Sequence, residues 1–459
     1  MKKTCFIKLI TLLLILTSAM LFLPLNAMAA WNNVYMNIND TNPATTNDSL
    51  VKITMHAELT KDEQPRSGSF NVARYRIWFD GESEPTSGYN ENGWIYMDDY
   101  THDNTTVVIY PTLRNLAGNR TVYVRISTNG AKYTTGVLSR TINLSLPADK
   151  FKAELYTDKT LTTLNRIYAV DTIDYSWPNG TGPQIGSRTT QNAASYIKDN
   201  FSMRFTKNVN FVVGDYAFCT RNDDGIALWV NNVKIIDDWA GAHGESSPYN
   251  FTGSYNFSSA GSYPVKVEYN EGGVDAACKL WWDPPPTGSL DINNGGTWAG
   301  SMPVKLNLSA TDINSEGGGA YSANAAGITH YQATEDKLTP GADIAATGAT
   351  PFNAKKYFTL SGGAGAKTVY VRYKDASGSY GPWYSKAITV ELTAPAAFTN
   401  ISPANDTWTN NPKPTFTWNA SSDANSGFTS AERYQLNIGG ADKAYLTSTT
   451  YTYNQAVTN

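Results

Sequence analysis

The 459-residue sequence is poor in the residues on which much enzyme chemistry rests. It holds 3 Cys and 4 His, and charged residues make up 17% of it. The four His are scattered over different segments, which excludes a local histidine metal cluster. There is no His-Glu-x-x-His and no Gly-x-Ser-x-Gly elbow, so neither hydrolytic signature is present. "GGAGAKT" (Gly362–Thr368) resembles a phosphate loop but has Ala366 where that motif needs Gly. It occupies the turn before "TVYVR", as "NLAGNR" does earlier in the chain, and reads as a sandwich turn. Excess positive charge is lacking too. Lys and Arg number 36 against 40 Asp and Glu, a formal charge of −4, which argues against nucleic acid as a partner. Beyond the first 25 residues no apolar run is long enough to span a bilayer.

The chain opens with Lys2, Lys3 and Lys8, a largely apolar run from Leu9 to Leu25, and Ala27-Met28-Ala29. A basic start, a short apolar core and a small-x-small site predict a secretory signal peptide over 1–29. Cys5 precedes the apolar run, so it is not a lipoprotein cysteine. Without the three lysines the balance is 33 against 40, or −7. The expected protein is secreted, extracellular or at the cell surface, with no stable membrane insertion after cleavage. The 28 Tyr and 12 Trp, with abundant Gly, Ser, Thr and Asn, suit pleated surfaces joined by turns.

One module occurs twice. "TVYVR" stands at Thr121–Arg125 and at Thr368–Arg372. Upstream, "VKITMHAEL" (Val51–Leu59) parallels "VKLNLSAT" (Val304–Thr311); downstream, "SRTINLSLP" (Ser139–Pro147) parallels "SKAITVELTAP" (Ser385–Pro395). Val51, Ile53 and Met55 alternate with polar neighbours, as do Val122, Val124 and Ile126. Period-2 alternation means strands with one buried face. Units of about 100 residues with this pattern read as Ig-like sandwiches, here 30–147 and 288–394. The second resembles the bacterial Ig-like modules that space out surface proteins and secreted polysaccharide-degrading enzymes. Residues 396–459 begin a further Ig or fibronectin-III-like unit with "KPTFTWNAS" (Lys413–Ser421). A sandwich needs nearer 100 residues, so the chain reads as a fragment of a longer protein. The predicted fold class is all-β: a multidomain chain of β-sandwiches.

Between the repeats lies a different unit, 150–284, followed by "DPPPTG" (Asp283–Gly288), whose triple proline predicts a stiff extended spacer. Its blocks run in a set order: the aromatic-rich "FKAELYTDKTL" (Phe151–Leu161), "FSMRF" (Phe201–Phe205), "GDYAF" (Gly214–Phe218), "DDGIALWV" (Asp223–Val230), "KIIDDW" (Lys234–Trp239) and a closing "VKVEY" (Val265–Tyr269) with "LWW" (Leu280–Trp282). Asp224-Gly225 between alternating apolar residues is a hairpin signal, but a hairpin does not require Asp223. Strand neighbours point to opposite faces, which argues against a catalytic pair. A Ca²⁺ site suits the two carboxylates better, because Ca²⁺ takes about six to eight oxygen ligands, largely from loops.

The ordered blocks resemble the domain family named after the fourteen-kilodalton fragment of anthrax protective antigen. That family occurs in yeast flocculins and epithelial adhesins and inserted in bacterial glycosidases. The resemblance implies that Asp223 and Asp224 are joined by a cis peptide and hold Ca²⁺, with sugar hydroxyls completing its shell. It also implies further ligands from the loop before the last strand, "YNEGGVDAA" (Tyr269–Ala277). Asn270, Glu271 and Asp275 are the candidates there. Trp239, Trp281 and Trp282 are candidates to stack on sugar rings; of the adjacent pair, one should face the core and the other outward. His243, close to Asp237 and Asp238, is a candidate ligand-binding residue or a loop histidine bonded to its own turn. Cys219 and Cys278, the cysteines outside the signal segment, either form a disulfide closing a loop of about 60 residues or are two buried thiols.

The expected function is Ca²⁺-dependent carbohydrate binding on Ig-like spacers, with a glycan or polysaccharide as partner and no catalytic constellation. The alternative is the non-catalytic N-terminal part of a secreted glycoside hydrolase. Cell-wall association would come through sequence beyond Asn459. A third option is that the central domain mediates protein contacts.

Overall fold

The computed structural model describes residues 31–453, apart from 61–71, 89–92, 99–103, 129–133, 179, 247–249, 313–315, 318–326, 347–350, 405–406, 424, 426, 428–433 and 439–440. The predicted signal peptide lies outside the described residues. No helix among the described residues is long and apolar enough to cross a membrane. Strands dominate, as the period-2 alternation requires, and the chain is a series of β-sandwiches.

The two repeats share one topology. In the first, Ile53–Leu59 pairs with Trp31–Ile38 on one side and Asn104–Tyr110 on the other. The facing sheet runs Thr45–Thr46, Leu138–Leu144, Gly118–Thr128, Val72–Phe79, Ile95–Tyr96. In the second, Pro303–Thr311 pairs with Thr287–Ile292 and Phe352–Thr359. Its facing sheet runs Trp298–Ala299, Tyr384–Val390, Gly365–Asp375, Ile328–Thr334, Ile344–Ala345. A short parallel edge pair recurs in both. Each repeat fills its interior from its own alternating residues, such as Ile53, Met55, Val122 and Val124 in one and Leu306, Leu308, Val369 and Val371 in the other.

The central domain packs two antiparallel sheets. One runs Leu164–Val170, Phe151–Tyr156, Phe201–Phe211, Gly261–Glu271, Gly225–Val230, Val233–Asp238; the other runs Asp174–Trp177, Ala276–Asp283, Gly214–Asp223, Phe251–Phe257. Aromatic rings fill the space between them. Phe211 stacks on Phe257 with centroids 4.3 Å apart, and its ring edge meets Trp282. Phe201, Phe205, Phe218 and Tyr269 are fully buried.

The domains are joined more closely than modules on spacers. Ser187–Gln191 of the central segment adds itself to the edge strand Asn104–Tyr110 of the first repeat. Arg166 forms a hydrogen-bonded ion pair with Asp48, Arg188 pairs with Glu82 at 2.7 Å, and the Tyr75 hydroxyl donates to the Arg188 carbonyl at 2.8 Å. On the other side the prolines are not a spacer. Pro284, Pro285 and Pro286 are buried, and Asp215 N–H donates to the Tyr380 carbonyl of the second repeat at 3.0 Å.

Two further expectations change. Cys219 and Cys278 are free and buried. They lie on neighbouring strands, but Cys278 stands opposite Asn222 and Cys219 opposite Trp281. An offset of three residues puts the two side chains on opposite faces of the sheet and about 10 Å apart along it, beyond disulfide reach. Trp281 and Trp282 are both buried, at 4% and 6% exposure. Trp282 enters the core, while Trp281, on the other face, pairs in register with Gly317 of the second repeat. Trp282 therefore cannot stack on a sugar.

Burial, aided by the Asp283 charge, pushes the Cys219 thiol up to about 12, and burial raises that of Cys278 further still. A neutral buried thiol is a poor nucleophile. At pH 8, iodoacetamide should label neither residue in the folded protein, and both in denaturant without reductant. Labelling of the pair that requires reductant would restore the disulfide.

Candidate metal centre

The strand Gly214–Asp223 ends in one sheet and Gly225–Val230 begins in the other. Asp223–Asp224 is therefore the place where the chain crosses between sheets, not the tip of a hairpin. Gly214–Asp223 pairs with Phe251–Phe257 and Ala276–Asp283; Gly225–Val230 pairs with Val233–Asp238 and Gly261–Glu271. The tight hairpin falls one strand later, at Asn231 and Asn232, whose φ values of 49° and 63° suit a two-residue turn. Gly225 is needed for another reason than backbone freedom. A Cβ there would lie 2.4 Å from the Trp239 carbonyl oxygen and 2.6 Å from Asn270 Nδ2.

The crossing brings adjacent carboxylates to one spot, which a continuous strand would not do. Oxygens of Asp223, Asp224 and Glu271 lie within 4.8 Å of one another. The peptide between Asp223 and Asp224 is cis. Asp224 Oδ2 accepts from Gly272 N–H at 2.8 Å, and Asn222 Nδ2 donates to the Asp224 carbonyl at 2.6 Å. Asn222 N–H in turn donates to Asn250 Oδ1 at 2.9 Å. A side chain at Gly272 would collide with its neighbours: its Cβ would lie 2.8 Å from Asp224 Oδ2 and 2.9 Å from Lys159 Nζ.

Glu271 is 0% exposed. Its Oε2 accepts from the Tyr269 hydroxyl at 2.8 Å, while its Oε1 is buried with no hydrogen-bond partner. Tyr269 and Glu271, two residues apart on one strand, share a face, and Tyr269 also donates to the Asp223 carbonyl. Burial, reinforced by the Asp224, Asp275 and Glu245 charges, pushes Asp223 up to about 6. Burial and the Asp pair outweigh the hydrogen bonds from Tyr269 and the Gly273 backbone and push Glu271 up to about 7. Crowded, half-desolvated carboxylates with an unused buried oxygen are a donor set for a hard cation. They are all oxygen, which suits Ca²⁺ rather than a thiolate- or imidazole-seeking metal.

Of the loop candidates, Glu271 joins the pair. Asn270 instead turns its amide to the Trp239 carbonyl at 2.7 Å, bracing the crossing from behind. Asp275 is exposed and acts on Asp223 through its charge. Trp239 is half-buried and contributes its backbone carbonyl. His243 bonds through Nε2 to Asp238 at 2.7 Å, and Asn250 Nδ2 donates to the Gly244 carbonyl at 3.0 Å. Burial opposes charge on His243, but Asp238, the Gly244 carbonyl and Asp224 prevail and raise its pKa. This loop borders the cluster: a Cβ at Gly244 would sit 3.7 Å from Asp223 Oδ2. Asn222, Asn250 and Tyr269 are supporting residues that sequence reasoning did not single out. The alternation of Tyr269 with Glu271 was the available signal.

A two-sheet antiparallel sandwich with an acidic crossing at the sheet seam defines the class, and residues 164–294 match the family model of the PA14 domain. Those residues belong to that domain family. A curated relative, the anti-sigma-I factor RsgI3 of Acetivibrio thermocellus, is 28% identical over 132 residues, 28% of this chain and 18% of that protein. The match thus spans 18% of the relative's length. Among solved structures, an anti-sigma factor domain-containing protein from Clostridium clariflavum is 19% identical, over 55% of this chain and 86% of that one, with a TM-score of 0.24. The A domain of epithelial adhesin 9 from Candida glabrata, solved with Galβ1-4GlcNAc, is 13% identical over 31% and 83%, with a TM-score of 0.22.

Gly225→Ala has no room at the crossing, because the nearest obstacle is backbone. It should destabilise the domain by about 1–3 kcal/mol, read as a lower urea midpoint. Ala at Gly244, with its nearest neighbour 3.7 Å away, should leave the midpoint within about 0.5 kcal/mol of the original.

Proposed function

We propose that the central domain holds Ca²⁺ through Asp223, Asp224 and Glu271 and presents it to the hydroxyls of a glycan. In this reading the protein is exported and surface-associated, and its flanking sandwiches position a binding domain rather than a catalytic one. The observation that carries the proposal is the convergence of three carboxylates within 4.8 Å, one of them fully buried with an unpartnered oxygen. Such a group is costly to bury uncompensated, and a divalent cation compensates all three at once.

Three carboxylates leave part of a six- to eight-oxygen shell open. The half-buried Asp223 and Asp224 face the side bordered by the His243–Gly244 loop, where outside oxygens have access. Vicinal sugar hydroxyls supply such oxygens in pairs, and the resemblance to the flocculin and adhesin domains supports that assignment. In this reading His243, on the loop that borders the cluster, contacts the sugar's rim, with Asn250 holding that loop through the Gly244 carbonyl. The anti-sigma factor relative favours a second setting for the same domain, as one part of a longer anti-sigma factor. The hydrolase alternative places it beside a catalytic domain. Reading the gene beyond Asn459 separates these settings without touching the site.

The test is a glycan array probed with the full chain in Ca²⁺ and in chelator, alongside Asp223→Ala. Binding should require Ca²⁺ and fall at least about 10-fold in the variant. Glycan binding that ignores both chelator and substitution would end the calcium reading. An array with no signal for the Ca²⁺-loaded protein would end the glycan reading and favour protein contacts.

A further inference from the structure

A second group of acids lies where the central domain meets the second repeat. Asp283 ends the last strand of the central domain, Asp312 follows Pro303–Thr311, and Asp375 ends Gly365–Asp375. Asp375 is 2% exposed, and Asp283 and Asp312 are each 8% exposed. The Ser377 hydroxyl lies in hydrogen-bond reach of both Asp375 Oδ1, at 2.7 Å, and Asp283. Asp375 Oδ1 also accepts from Ser379 N–H at 2.9 Å, and Asp312 Oδ2 accepts from Gly327 N–H at 2.9 Å. Asp375 Oδ2, however, is buried without a hydrogen-bond partner. Burial first, then the Asp283 and Asp312 charges, push Asp375 up to about 7; burial and Asp312 push Asp283 up to about 6.

The first repeat shows that the sandwich itself does not call for these acids. Aligning Val51 with Val304 sets Leu59 against Asp312, and aligning Thr121 with Thr368 sets Thr128 against Asp375. Leu59 and Thr128 are both 0% exposed. The same inward-facing positions therefore carry neutral residues in one copy and carboxylates in the other, and the copy with carboxylates is the one packed against Asp283. The junction is closely fitted. Trp282 pairs with Glu316 across it, and a Cβ at Gly381 would lie 2.1 Å from the Pro286 carbonyl oxygen.

We propose that Asp283, Asp312 and Asp375 are the ligands of a second divalent-cation site, suited to Ca²⁺, that ties the central domain to the repeat that follows it. Three carboxylates supply between three and six oxygens, and the Ser377 hydroxyl and neighbouring carbonyls can add to them. Among the described residues the Asp223 cluster alone has its carboxylate oxygens within 4.8 Å of one another; the junction acids stand further apart, and an ion would have to draw them together. The role differs from that of the first site. Here the ion is enclosed by two domains and fixes their relation, with no open face for a sugar.

Calorimetric titration of the chelator-treated full chain with CaCl2 tests this. Asp223→Asn/Asp224→Asn, which leaves the junction untouched, should still bind one ion. Adding Asp312→Leu/Asp375→Thr, the residues of the first repeat, should abolish that ion. In chelator this variant should melt no lower than its parent, since buried repulsion has been removed; a lower melting temperature would mark lost fold rather than lost ligand. In that event Asp375→Asn alone, in the same background, decides: affinity should fall at least about 10-fold. A background protein that binds no ion, an ion that survives Asp312→Leu/Asp375→Thr, or unchanged affinity in Asp375→Asn would each overturn the proposal. Should Asp223 and Asp224 not be ligands, the original chain and the background would bind the same number of ions, so the two sites fail independently.

Discussion

The passage of the chain from one sheet to the other at Asp223–Asp224 is the constraint around which the central domain is arranged. Two strands in different sheets must be joined without slack, and the joint carries two carboxyl groups beside a third, Glu271. Everything near it accommodates that demand. Gly225 leaves room for the Trp239 carbonyl, Asn270 holds that carbonyl from the far side, and Asn222 ties the joint to Asn250. Tyr269 bonds both the Asp223 carbonyl and Glu271, so its ring spans from the aromatic interior to the charged seam. Core packing and the candidate site thus share residues.

Much of the architecture was legible in the sequence because it is written in short-range pattern. Alternation in "VKITMHAEL" and "TVYVR" marks strands with one buried face, and their recurrence marks two sandwiches of one topology. The acidic pair stood out because one Asp more than a turn requires was present. What could not be read locally depended on partners far along the chain. Asp-Gly signals a hairpin when its flanking strands pair with each other, but here each flank pairs elsewhere. The two cysteines looked well placed until strand register put them on opposite faces. Trp281 should have faced outward by alternation, yet it is buried where Glu316–Gly317, more than thirty residues on, pairs alongside its strand.

The repeats show how one scaffold is adapted at its ends. Their interiors are interchangeable in kind, with Val, Ile and Leu on matching inward positions. Their contacts with the central domain are not. The first repeat receives a strand and a pair of arginine bridges; the second meets the domain through buried prolines and carboxylates. Composition at a few boundary residues, rather than fold, distinguishes the two copies.

The added strand Ser187–Gln191 has a mechanical consequence. It lies some forty residues past the point where the chain leaves the first repeat, yet it hydrogen-bonds back to that repeat. Tension applied along the chain is therefore shared between the short covalent link near residue 148 and this pairing, backed by Arg166–Asp48 and Arg188–Glu82. The first repeat and the central domain would resist being drawn apart as one stiff unit, and that pairing would have to shear before the link between them could straighten.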